Sequence, residues 1–160
     1  LHLFKNLFGA TSTSFIAPNY IWSPSLETVL AEEGVKYIQG GKAQLLSDYD
    51  FVTTGRKKIR HYIGQKSACG LTYLVRNCNF EPTSQPGQDH VALCMAQIRT
   101  AFRFHKPAII NTHRVNYIGA INPKNSDQNL RLLKKLLLEI IREFPDVEFL
   151  DSSELGMAMN

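Results

Sequence analysis

The chain has 160 residues and a net charge of +4, from 18 basic and 14 acidic residues. That length allows one ordinary domain with a real core, and so small a charge excess is no nucleic-acid footprint. No apolar run reaches the ~18 residues of a membrane span, and three irregularly spaced cysteines, Cys69, Cys78 and Cys94, argue against a disulfide framework.

Residues 1–9 have no basic lead and an interrupted apolar pattern, so they are not read as a signal peptide. With no initiator methionine, the chain is expected to be a processed product or a piece of something longer. Ser14 to Pro18 predicts a strand ending at a proline. Ser23 and Pro24 then predict a helix cap and first helical position, with Leu26, Val29 and Leu30 as its apolar stripe and Gly34 as its stop. Val35 to Ile38 predicts a second strand, closed by Gly40 and Gly41. Residues 42–66 are polar, and Gly70 is placed in the turn of a hairpin that leads into Leu71–Val75. The strand-like run extends from Leu71 to Phe80, and a loop rich in turn residues follows from Glu81 to Gly87.

Asp89 predicts the cap of a helix reaching about His105, with Val91, Met95, Ile98 and Phe102 at helical spacing. Pro107 to Arg114 predicts a strand ending in a histidine and an arginine. A long helix capped by Ser126 or Asp127 follows, with Leu130, Leu133, Leu137, Ile140, Ile141 and Phe144 facing a core. Val147 to Leu150 predicts a last strand, and Asp151 to Leu155 a short capped helix. The order is β-α-β, a polar hairpin insert, then β-α-β-α-β. The expected fold class is therefore α/β, with mostly parallel strands alternating with helices, in a single domain spanning residues 1–160.

In such folds, strand carboxyl ends deliver side chains to the ligand-binding face. Three strand ends here are polar. One carries Tyr20 and Trp22, a second Arg76 and Asn77, and a third His113, Arg114 and Asn116. Aromatic faces with amides suit sugar rings; the competing reading is a turn whose aromatics close the core. No His-x-x-x-His and no Asp-Asp pair occurs, so no complete metal site is expected within the chain. Gly-x-Ser-x-Gly and phosphate-binding glycine loops are absent. Cys78 is more readily a buried strand thiol than a nucleophile. The basic run from Arg56 to Arg60 reads first as a solvated hairpin.

Residues Ser14 to Tyr20, Ile109 to His113 and Asp146 to Leu155 together resemble the polysaccharide deacetylases, a glycoside hydrolase/deacetylase barrel family. The likeness covers the later half of the barrel. It implies a distorted (β/α)7 TIM-like barrel, with His113 as the general acid. It also implies a divalent, zinc-like metal bound by residues of the complete protein that have no counterpart here. Ile16 stands where the family's motif has arginine, and Asn19 is inserted before Tyr20.

The resulting expectation is a carbohydrate-active, deacetylase-like hydrolase segment acting on a glycan. His113 would be catalytic, and Tyr20, Trp22, Arg76, Asn77, Arg114 and Asn116 would line the substrate groove. The rivals are a glycoside hydrolase using Glu81 and Asp151 as its two carboxylates, and a non-catalytic carbohydrate-binding or structural module. No nucleic acid is expected as partner. A half barrel leaves an open sheet edge, so a second copy or the missing barrel half is expected to cover it. The compartment is left open; a signal on a longer chain would place it outside the cytoplasm.

Overall fold

β-Branched and aromatic residues build three short parallel strands, β1 (Ser14–Ile16), β2 (Tyr37–Gly40) and β5 (Thr72–Val75), in the order β1-β2-β5. The register pairs Phe15 with Ile38 and Ile38 with Tyr73. The computed structural model describes residues 2–55, 57–84, 87–120 and 122–159, without the side chains of residues 49, 51 and 53. Leu1, Arg56, Gln85 and Pro86, which fall within segments read above, lie outside the described residues. The strands are mixed with helices in an α/β arrangement containing parallel pairs, as the alternation predicts.

The chain divides into two units, Leu1–Arg76 with Leu150–Asn160, and Asn77–Phe149. Each has its own apolar core.

In the first unit, helix α1 (His2–Phe8) has no buried residue. Helix α2 (Ser25–Glu32) starts after Pro24 and buries Glu27 and Leu30. Gly34, at φ +86°, ends the turn that leads into β2, because a residue without Cβ enters this region at no steric cost. Gly40 lies inside β2 rather than after it. The polar insert is more than a hairpin. It holds β3 (Ala43–Leu45), helix α3 (Asp48–Thr54) and β4 (Lys58–Arg60), with β3 and β4 antiparallel. The predicted hairpin around Gly70 is reduced to a single antiparallel bridge, Lys66 to Thr72. Helix α6 (Ser152–Ala158) closes this unit. It approaches β2 so closely that a Cβ on Gly156 would collide with the ring of Tyr37.

In the second unit, β6 (Cys78–Asn79) pairs in parallel with β7 (Ile110–Asn111), joining Cys78 to Ile110 and Asn79 to Asn111. Helix α4 (His90–Arg103) is capped by Asp89, whose carboxylate accepts the Ala92 N–H at 3.0 Å. Val91, Cys94, Met95 and Ile98 are buried, in the predicted phase. Helix α5 (Pro123–Glu143) starts earlier than expected, after Asn122. Its buried line runs through Asn129, Leu136 and Ile140, with Leu132 and Leu133 packed alongside. Leu130 and Ile141, expected in the core, are 47% and 49% exposed. Residues 147–150 form no regular strand. Val147 packs on the core while Phe149 and Leu150 are exposed.

Candidate active site

The predicted strand end at His113 is shorter than expected. Only Ile110 and Asn111 pair, and the chain then turns through a 3-10 segment, Arg114–Tyr117. His113 lies between the two. Its side chain is 58% exposed, whereas that of Glu81 is 12% exposed. Nδ1 of His113 and Oε1 of Glu81 are 2.6 Å apart. An ionised carboxylate only accepts, so the imidazole donates through Nδ1–H and its Nε2, on the far side of the ring, carries the lone pair. Glu81 therefore fixes both the tautomer and the ring orientation, as orienting carboxylates do.

Asn116 is fully buried and holds Glu81 in place. Its Nδ2 donates to Oε2 of Glu81 at 2.7 Å and to the His113 carbonyl at 2.9 Å. Its Oδ1 accepts the Thr83 N–H at 3.0 Å. One carboxamide thus joins the loop after β6 to the turn after β7. Behind it, Asn129 on α5 donates to the Asn116 carbonyl at 2.8 Å and to Oγ1 of Thr83 at 2.9 Å. Asn125 donates to the carbonyls of Val115, Asn116 and Ile118. Buried polar groups left unpaired are costly, and a satisfied network of this kind gives rigidity. The result is an exposed imidazole on a rigid mount, able to accept or release a proton at Nε2.

Arg114, next to His113, is exposed. Asn77 spends its carboxamide on the backbone: Nδ2 donates to the Pro107 carbonyl and Oδ1 accepts the Ile109 N–H at 2.7 Å. It sets the approach of the two strands in this unit. Asn116 likewise faces Glu81 and backbone rather than solvent. Cys78 is 1% exposed, and burial pushes its thiol up to about 11, which leaves no thiolate for a nucleophile near neutral pH.

The remaining predicted residues belong to the first unit. Tyr20 follows Asn19 in a left-handed turn, at φ 58° and 51°. Such a conformation is unusual for a bulky residue. It seats the phenol ring over Gly41, where a Cβ would lie 3.3 Å from the ring. The Tyr20 hydroxyl accepts from Nη1 of Arg76 at 3.2 Å. Those two predicted residues do meet. Trp22 is 4% exposed. Its indole N–H donates to Oε1 of Glu27 at 2.9 Å, and the Tyr73 hydroxyl donates to the same oxygen at 2.8 Å. It is therefore the core-closing aromatic of the competing reading, with no face left for a sugar. His61 stacks on Tyr73 at 3.8 Å and bonds Gln44 Oε1 at 2.9 Å. Burial pushes its imidazole down, against smaller opposite pulls from Gln65 and Glu27. Asp151, the second carboxylate of the glycoside hydrolase reading, caps α6 by accepting the N–H groups of Ser153 and Glu154.

The sequence reading missed Glu81 as the partner of His113. The signal that was present is the composition of the loop, an acidic residue two positions past a strand end and on the parallel neighbour of the histidine strand. Among the described residues, no three His, Cys, Asp or Glu side chains gather as a metal ion would require. No described helix is long and apolar enough to cross a membrane.

Compared with known proteins, residues 2–136 match glycosyl hydrolase family 57. No match was found among curated proteins or solved structures. The family match overturns the resemblance to polysaccharide deacetylases. That resemblance rested on strand tips and on a tail, and the tail does not form the strand it was matched to. Short apolar runs with polar tips recur wherever parallel strands deliver side chains to one face, so they carry architecture more than family. Because the match spans most of the chain, the chain belongs to glycosyl hydrolase family 57, a family of carbohydrate-active hydrolases.

Proposed function

We propose that the chain is part of a glycoside hydrolase and carries one of its proton-transfer groups, the imidazole of His113 oriented by Glu81. The observation that carries this reading is the 2.6 Å bond between His113 and Glu81, with Asn116 buried beneath it. Family membership supports glycosidic bonds as the target. Parallel pairing in both units supports a β/α barrel, the fold of the family, as the setting.

Hydrolysis of a glycosidic bond requires a proton for the leaving oxygen and an activated water or nucleophile at the anomeric carbon. Nε2 of His113 supplies the proton when charged and removes one from water when neutral. Glu81 keeps the ring aimed while this happens. Arg114, exposed beside His113, binds sugar hydroxyls or charged substituents. Asp151, the second carboxylate of the glycoside hydrolase reading, caps α6 through Oδ1.

The test uses the longest natural form of the protein, a panel of glycans, and separate assays for reducing ends and for acetate. Reducing ends should appear without acetate. His113→Ala should lower kcat by roughly 10²–10⁴, the usual worth of a positioned general acid or base. Glu81→Gln should lower kcat by a smaller factor with little change in KM. Acetate release without reducing ends, or full activity in His113→Ala, would refute the assignment.

A further inference from the structure

Helix α5 presents a row of cations that the histidine site does not use. Lys124, Arg131, Lys135 and Arg142 follow one another at steps of seven, four and seven residues. At 3.6 residues per turn these steps keep all four on one narrow face, along roughly 27 Å of helix. Lys134 sits beside the row. All five are exposed, on the side opposite buried Leu136 and Ile140. In the middle, Leu138 is 57% exposed. Arg131, Lys134, Lys135, Leu138, Glu139 and Arg142 line a shallow depression of about 380 Å³. Two acids share this side. Glu139 pairs with Lys135 at 3.8 Å, and Asp127 lies one turn before Arg131. Glu143 is engaged elsewhere, by the Arg99 guanidinium of α4. The face keeps a positive surplus.

We infer, on the carbohydrate reading above, that this face of α5 is a second glycan-binding surface and that its occupant is an acidic polysaccharide. Cations spaced along a straight rod match carboxylates spaced along an extended polymer. The exposed leucine between them offers apolar contact for the C–H face of a sugar. A single-stranded nucleic acid fits less well, because the depression holds no aromatic ring on which a base could stack. A membrane surface fits less well, because the apolar line of α5 is already buried in its unit. The surface holds polymer close to the enzyme and performs no chemistry.

Affinity electrophoresis of the chain through gels containing polygalacturonate tests this, with dextran, tRNA and phosphatidylserine vesicles as comparison probes. Polygalacturonate should retard the chain and dextran should not. Retardation should weaken roughly 10–100-fold between 50 and 200 mM salt, as about four counterion-releasing contacts would give. The combined variant Arg131→Glu, Lys134→Glu, Arg142→Glu should lose retardation while keeping its circular dichroism spectrum. The milder variant Arg131→Gln, Arg142→Gln should lose part of it. His113→Ala should bind like the unaltered chain, which separates this surface from the hydrolytic site. Equal retardation of the triple variant, absence of binding to polygalacturonate, or stronger binding to tRNA or vesicles would each overturn the inference.

Discussion

Asn116 shows how much one side chain can carry. It touches Glu81, His113 and Thr83 at once, so its removal takes a donor from one oxygen of Glu81 and the acceptor from the Thr83 N–H. Asn116→Ala should destabilise the protein by about 1–3 kcal/mol, the cost of unsatisfied buried polar groups, and urea unfolding would measure it. Gly156 is constrained from the opposite direction. A methyl group there collides with the buried ring of Tyr37, so Gly156→Ala should cost about 1–3 kcal/mol despite its better helix propensity. A stable Gly156→Ala protein would show that α6 can slide. His61 gives a pH prediction. Its folded-state proton affinity is depressed by burial, so the unfolded chain binds the proton more readily. The corresponding stability is complete above the ordinary imidazole value of about 6.5 and falls as the pH drops through the lower folded value. Urea midpoints measured from pH 7.5 down to 5 should decline, and His61→Gln should flatten that decline. His113 was legible because an apolar run ends in it. Glu81 could be read only as an acid following a strand, because its partner stands 32 residues away and nothing local records the pairing. Trp22 read equally as a sugar-binding and as a core-closing aromatic, and Glu27 supplies the buried acceptor that lets the indole sit inside.

Among the elements, α5 is the instructive one. Leucines at positions 130, 132, 133, 136, 137 and 138 let several rotations of the helix show an apolar stripe. The predicted face was turned from the observed one, and the buried polar Asn129 marks the true line. That residue joins the network under the histidine, so tertiary hydrogen bonding and core packing set the phase together. Leu136→Ala should cost about 2–5 kcal/mol, whereas Leu138→Ala should stay within about 0.5 kcal/mol. Comparable losses in urea unfolding would mean that the helix is rotated from the position described. The run from Leu71 to Phe80 illustrates a second limit. It reads as one strand but pairs with β2 through Val75 and with β7 from Cys78 onward. Hydrophobicity tells that a segment is buried and extended; it does not say which partner it extends beside.

For the molecule as a whole, two separate cores replace the one that length alone would suggest. Ile38 is 1% exposed in one and Phe80 0% in the other. Ile38→Ala should therefore speed amide exchange in β1, β2 and β5 more than in α4 and α5, since local opening follows cooperative units. Phe80→Ala should do the reverse, and uniform acceleration by either would show that the cores open together. The alternation of strands and helices, the capped helices at Asp89 and Asp151, and the histidine at a strand end could all be read from the chain, because each depends on residues within a few positions of one another. The burial of Trp22, the phase of α5, the division of the 71–80 run and the Glu81–His113 bond could not. Each is settled by which distant segment supplies a hydrogen-bond partner or an apolar surface, and that choice exists only once the backbone has folded.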